Sequence, residues 1–327
     1  MTAATLSNSA SRHALAGPPQ RKVKVGFGDL LAHSVRQHRA SLIAITAFYV
    51  LYGLLIQLSG GHGGIGFWTF DPKVFVPALA GVVALFWGAP LLGAEYEQHT
   101  NLFAWSQDAS PLRWLIAKLT LFGSVVVVFS VALTLIVQNQ IAQAGEQYSG
   151  SSLAPYGFIG FEAWIPLAIA YALFGFLLGV AVGAVSRRVV ASIGITLVAF
   201  AGVRVLVAAV LRPFLFDVIS PVERIVPVAT WMTQPDAVGS NVYDINNELF
   251  MNASGQQIPV PENCWGMPDL AAQTNCVTST GITKVGDIYQ PYSKLIVFHS
   301  IELGVYVVLI AVCAWVAIWA VRRRASA

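Results

Sequence analysis

The chain has 327 residues, of which 56% are hydrophobic and only 11% charged, with a net charge of +3 and a mean hydropathy of +0.66. A soluble domain carries about 25% charged residues, so water is excluded as the main solvent. The apolar residues come in long uncharged blocks, which makes the hydrocarbon core of a bilayer the organising medium.

Residues 1–26 are rich in Ala, Ser, Pro and basic residues without apolar periodicity. They bury too little surface to order themselves and are expected to form a disordered cytoplasmic tail. From Phe27 the pattern changes. Phe27, Leu30, Leu31, Ser34 and Val35 recur at helical spacing, with Asp29, His33, Arg36 and Gln37 on other faces. This predicts an amphipathic helix over 27–40, an elbow lying along the inner membrane surface.

A helix needs about 20 apolar residues to cross the bilayer. Six segments meet that requirement, at 42–58, 74–93, 112–137, 163–184, 189–211 and 295–321. Lys and Arg collect on the cytoplasmic side of short loops. The N-terminal tail carries Arg12, Arg21, Lys22, Lys24, Arg36 and Arg39, and the short loops on the same side carry Arg113, Lys118, Arg187, Arg188 and Arg322 to Arg324. Opposite them stand only Lys73, Arg212, Arg224, Lys284 and Lys294. Both termini are therefore expected in the cytoplasm. The fold class that results is an all-α membrane protein: six transmembrane helices in a domain over 41–327, an N-terminal elbow helix, and a large external loop between the fifth and sixth spans.

The connection after the first span contains Gly60, Gly61, Gly63, Gly64 and Gly66, but it joins two spans rather than a strand and a helix with Lys and Ser or Thr, so it is read as flexible linkage and not as a phosphate loop. The external loop, 212–293, is broken by repeated prolines that exclude a long helix. It holds Cys264 and Cys276. Outside the cytosol a disulfide between them is permitted and is expected. Cys313 lies inside the last span. The histidines are scattered without a metal-binding spacing, so no metal is expected.

Arg204 and Glu302 lie inside spans, where a charge costs about 2.5–3.5 kcal/mol. Arg204 stands eight positions before Arg212 and Glu302 eight after Lys294, which places both about 12 Å below the outer boundary. Equal depth predicts an ion pair that locks the helices or lines a substrate path.

The loop between the second and third spans runs from Gly93 to Leu119 and contains Glu95, Glu97, Thr100, Arg113, Trp114, Leu115 and Lys118. Two acidic residues, a Thr, a short helix and an Arg-Trp-Leu-x-x-Lys element make this stretch resemble the type-two ABC exporter permeases of bacteria. Tyr289, Gln290 and Pro291 before the last span, Ile301 and Glu302 within it, and Arg212 with Pro213 after the fifth add to the resemblance. Where the family usually has Arg or a similar residue and Gly before the Thr, this chain has Gln98 and His99.

The resemblance implies a permease subunit in a bacterial cell membrane, with 94–111 as the cytoplasmic coupling segment and Glu95, Glu97, Thr100, Arg113 and Lys118 as the residues that couple it to an ATPase. Its implied partners are cytoplasmic ABC ATPase subunits, which would bind ATP and Mg, a second permease copy or a similar subunit, and membrane lipid. Nucleic acid is not among them. No G-x-x-x-x-G-K-[ST] loop occurs, so the chain is expected to carry no cofactor and no catalytic residue of its own. Few intramembrane charges suit amphipathic drugs, lipids or lipopeptides better than ions. Two alternatives stand beside this reading. A membrane scaffold or sensor would use the external loop as its receptor region. A membrane enzyme is less favoured, since neither His-Glu-x-x-His nor Gly-x-Ser-x-Gly occurs.

Overall fold

In the computed structural model, residues 26–59, 79–99, 110–144, 153–233, 242–245, 248–265, 267 and 269–325 are described. The tail up to residue 25, the glycine-rich connection from Gly60, Thr100 and most of the 94–111 segment lie outside the described residues.

Helix α1 (Phe27–Gln37) begins at Gly26, whose backbone N–H donates to Asp29, and ends at His38, where the backbone leaves helical geometry. Helix α2 (Arg39–Ser59) follows at once. The expected 27–40 element is thus a helix of 11 residues joined to the first apolar helix by a one-residue break. Next come α3 (Leu79–Val83), a π turn (Ala84–Gly88) and α4 (Ala89–Glu97), in one unbroken run. Helix α5 (Pro111–Ala144) opens with Ser110, whose Oγ accepts from the Arg113 backbone N–H at 3.3 Å, and with proline at its first position. Both choices suit a helix start, where backbone donors lack partners.

Short helix α6 (Phe158–Glu162) precedes α7 (Ile165–Ser186), the centre of the molecule. Helix α7 is apolar all round and packs against α3, α4, α5, α8 and α12, most extensively against α12 (elements below). Gly175, Gly179 and Gly183 recur every four residues along it and are buried. A Cβ on Gly88 would stand 2.5 Å from the Phe176 carbonyl oxygen, and one on Gly183 would stand 2.5 Å from that of Ala89. Two backbones therefore meet directly, the small-residue packing that serves helices in lipid, where apolar side chains gain nothing from leaving solvent.

A turn with Arg187 in the left-handed region (φ 60°) leads into α8 (Val189–Leu206). A second π turn (Val207–Leu211) and α9 (Arg212–Val218) continue it. The sequence boundary at 211 is thereby corrected. Pro213 has no N–H to contribute, but it sits in the first turn after a π turn whose bonding is already shifted, and the helix passes through it.

The segment between α9 and the last helix corrects the all-α expectation. Strand β1 (Val222–Pro227), helix α10 (Val228–Thr233), β2 (Tyr243–Asp244), β3 (Leu249–Met251), α11 (Leu270–Ser279) and β4 (Lys284–Gln290) form a small α/β cap. Strand β4 pairs antiparallel with the whole of β1, Val222 opposite Tyr289 and Pro227 opposite Lys284. Its other edge takes β3 at Lys284–Gly286 and β2 at Tyr289–Gln290. Val228, Met232, Cys264, Val277, Ile282 and Val285 make the core of the cap. The last helix, α12 (Leu295–Ala325), returns through the bundle.

Five helices among the described residues are long and apolar enough to cross a membrane: Arg39–Leu58, Pro111–Gln143, Ile165–Ser186, Val189–Val218 and Tyr292–Arg323. Their outward sides are apolar too. Leu51 and Leu54 on α2, Val190 and Val198 on α8, and Val308 and Trp315 on α12 are all exposed. Such a surface calls for lipid or a partner rather than water.

Candidate functional site

The fold gathers charges at two places, one at the end of the bundle that carries the cap and one at the other.

Near the cap, four charged side chains from α6, α8, α9 and α12 meet. Arg204 donates to Glu162 Oε1 at 2.5 Å and to the Tyr306 hydroxyl at 3.3 Å. Arg212 donates through Nε and Nη2 to the two oxygens of Glu302, both at 3.0 Å, and through Nη2 to Glu162 Oε1 at 3.2 Å. The Tyr171 hydroxyl donates to Glu302 Oε1 at 2.5 Å. The aromatic faces contribute as well: the Arg204 guanidinium lies 4.0 Å from the Tyr171 ring centre and that of Arg212 4.2 Å from Phe161. All four charged residues are buried.

The expected direct pair of Arg204 with Glu302 is corrected. Each takes a different partner, and the two are joined only through Glu162, Arg212 and the tyrosines. The span expected over 163–184 begins one residue after Glu162, and the one expected over 189–211 ends one residue before Arg212. The signal that exposes Arg212 is its spacing from Arg204. Eight residues of α-helix turn through about 800°, which overshoots two turns by about 80°. A π turn takes roughly one residue more per turn and absorbs most of that excess. The π turn Val207–Leu211 lies between the two arginines and brings both to the same face.

Glycine fixes the position of Glu162. A Cβ on Gly160 would stand 2.0 Å from the Ala154 carbonyl oxygen, so only glycine lets the 153–157 turn fold against α6. Beside it, His299 meets the Phe161 carbonyl at 3.0 Å and stacks on Trp164 with ring centres 4.9 Å apart.

The cap is fastened just above. Gln290 donates to the carbonyls of Phe216 (2.6 Å) and Ile219 (2.9 Å), which the end of α9 leaves without helical partners. The Tyr156 hydroxyl donates to the Pro291 carbonyl at 2.9 Å. Cys264 and Cys276 are joined by a disulfide that pins the turn at 262–264 to α11. Beside the sheet, burial and the Asp244 charge raise the pKa of the Asp287 carboxyl, against the opposing pull of Arg224. Burial and the charges of Asp287 and Asp244 raise that of Glu248 in the same way.

At the opposite end, Glu95 in the last turn of α4 forms an ion pair with Lys118 in the second turn of α5. Glu95 Oε1 also accepts from Gln37 Nε2 at 3.0 Å, and His38 Nε2 lies 3.3 Å from the lysine nitrogen. Lys118 stands over the Trp114 ring at 5.0 Å. Trp87 donates to Ser41 Oγ at 2.6 Å. Both Glu95 and Lys118 are buried and bind each other. Glu97 is exposed and accepts from the backbone N–H of Val189 at 2.9 Å, a carboxylate at the positive end of α8. Arg113 is exposed.

An apolar exterior, glycine-packed helices and buried ion pairs within the bundle define a polytopic helical membrane protein. Residues 68–212 match the family model described as ABC-2 membrane transporter related. This similarity supports an ABC-2-type permease, the membrane subunit of an ABC transporter. The match runs from before α3 to the first residue of α9, and so includes Glu95, Lys118, Glu162, Arg204 and Arg212. No curated protein and no solved structure matches the chain.

Proposed function

We propose that the chain is the permease subunit of an ATP-driven exporter in a bacterial cell membrane. It crosses the membrane six times, the run from α3 to α4 supplying the span beyond the five long helices, and has both termini in the cytoplasm. In this reading α1 lies along the inner surface as an elbow and the cap over 222–290 stands outside. A second copy or a similar subunit completes the path, and ATP with Mg binds to separate ATPase subunits.

The observation that carries this reading is the junction at the base of the 94–111 segment, inside the region matched by the permease family. Glu95 and Lys118 fasten α4 to α5, and Gln37 and His38 join the elbow to the same point. A segment that docks on an ATPase transmits movement only if its roots are stiff. The buried pair supplies the stiffness, while Glu97, Arg113 and Thr100 belong to the part left to meet a partner.

The test is purification of the tagged chain from its native membrane in mild detergent. An ABC ATPase should copurify, and Arg113→Glu should lower its recovery without lowering the amount of permease. Recovery of the chain without any ATPase, together with unchanged transport when candidate ATPases are deleted, overturns the reading and favours a scaffold or sensor.

A further inference from the structure

Helix α12 turns one continuous stripe away from the bundle. Val308, Val312, Trp315, Trp319, Arg322 and Arg323 are all exposed, and at about 100° per residue they fall within about 100° of one another around the helix. Apolar side chains occupy the stripe up to Trp319, and two arginines end it. Trp315, Ile318, Trp319, Arg322 and Arg323 line an open groove of about 370 Å³. The Arg323 guanidinium lies 5.4 Å from the centre of the Trp319 ring, a cation–π contact that holds it beside the groove. Arg322 lines the same groove from a position about 100° round the helix. The one carboxylate side chain of α12, Glu302, stands about 30 Å away along the axis and binds Arg212.

We infer that this groove binds an anionic phospholipid, with its phosphate between Arg322 and Arg323 and an acyl chain along Trp319, Trp315 and Val308. Three observations select this occupant. Guanidinium groups present planar donor forks that match phosphate oxygens, and an anion between two of them offsets their mutual repulsion. The stripe from Trp319 to Val308 rises about 16 Å, one leaflet of a hydrocarbon core about 30 Å thick. The order along it is that of a lipid at an interface, with apolar residues at depth, indole rings at the headgroup boundary and charge beyond. A zwitterionic lipid offers the same phosphate but adds a cation beside the arginines, so a headgroup of net negative charge is preferred. A second copy is disfavoured. A two-fold axis along the membrane normal sets equal depths opposite each other, which would bring the arginines of both copies together. The proposal rests on the permease reading only in assigning this end of α12 to the cytoplasmic leaflet, where anionic lipid concentrates.

The experiment titrates the purified full chain, in detergent and without ATPase, with dioleoyl phosphatidylglycerol or dioleoyl phosphatidylcholine, and reads the first bound lipid by native mass spectrometry. Phosphatidylglycerol should bind about tenfold more tightly or better, the ratio expected for two arginines beside an anionic headgroup. Arg322→Gln with Arg323→Gln should bring that ratio close to one. Arg187→Gln with Arg188→Gln removes the same charge from exposed positions between α7 and α8 and should leave the ratio unchanged. Trp315→Ala with Trp319→Ala should weaken the binding of both lipids, because it removes the wall for the chain.

Equal binding of the two lipids, a preference that survives loss of Arg322 and Arg323, or one lost equally in the Arg187 and Arg188 variant overturns the proposal. So does a tryptophan double variant that turns a dimer into a monomer without changing lipid binding, which would assign the face to a second copy. The assay contains no ATPase and does not depend on which way the chain faces, so these outcomes are separate from failure of the permease reading. Copurification can succeed while this site fails, and the site can hold lipid in a chain that recruits no ATPase.

Discussion

Arg212 is the member of the charged network whose loss should be felt most. It bridges both carboxylates, with two bonds of 3.0 Å to Glu302 and one of 3.2 Å to Glu162. Arg212→Gln would leave the two carboxylates with Arg204 alone, one negative charge buried without a counter-charge. Removing one partner of a buried pair costs about 3–5 kcal/mol, most of it the penalty of the charge left behind. Glu302→Gln should cost a similar amount, since it leaves one positive charge over. The double variant restores neutrality, with Arg204 and Glu162 still paired at 2.5 Å. It should therefore be more stable than the sum of the single losses implies, with a coupling of about 1.5–3 kcal/mol. Unfolding in mixed micelles with increasing sodium dodecyl sulfate, followed by tryptophan fluorescence, measures all four proteins of the cycle. Additivity within about 0.5 kcal/mol would refute the claim that Arg212 and Glu302 act as a directly bonded pair.

Three further outcomes are expected. Glu95→Gln and Lys118→Met should each destabilise the chain by about 3–5 kcal/mol, and the pair Glu95→Leu with Lys118→Met by clearly less, because an apolar replacement of both partners removes the desolvation cost along with the attraction; the same micelle assay reads both. Cys276→Ser should lower the stability of the cap by about 3 kcal/mol in the chain-entropy model, seen as faster proteolysis between 234 and 290 while the helices stay intact. Asp287 and Glu248 have pKa values raised in the folded cap, so the folded state holds protons that the unfolded state releases. Their contribution is fully present below the ordinary values of 3.8 and 4.5 and is lost as pH rises through the folded values. The cap should thus resist protease better at mildly acid pH than at neutrality, and Asp287→Asn should flatten that dependence.

The long helices were legible because hydropathy and length report the solvent directly, and nothing distant is needed to read them. The two π turns were not, since they add a residue to a turn without changing composition. That is why Arg212 read as the first loop residue after the fifth span, with Pro213 as a terminator. Glu162 was missed for a related reason: a carboxylate at the edge of an apolar block looks like the boundary itself, until the turn at Gly160 carries it inward. Strands β2 and β3 have two and three residues, too short for any alternation to show, and they exist only because β4 pairs with them across long separations. The Cys264–Cys276 bridge needed no such pairing, since two cysteines in one loop, expected outside the cytosol from the charge bias, are enough to suggest it. The pairing of Glu95 with Lys118 is not legible either, because a sequence does not tell a charge that faces out from one that faces another helix.

The two charged junctions explain each other when considered with the helix that runs between them. Helix α7 is so closely packed, backbone against backbone at Gly88 and Gly183, that it leaves no room for the helices around it to slide along it. The two π turns mark where the backbone hydrogen bonding is irregular, one at Ala84–Gly88 leading to the Glu95–Lys118 junction and one at Val207–Leu211 between Arg204 and Arg212. The first is itself held, since Gly88 ends it against the Phe176 carbonyl. A buried ion pair resists separation far more strongly than it resists moving together with its partner, since separation exposes a charge to low dielectric. Gln37, Glu95 and Lys118 therefore tie α1, α4 and α5 into one piece at one end, and Arg212 ties α6, α9 and α12 into another at the other.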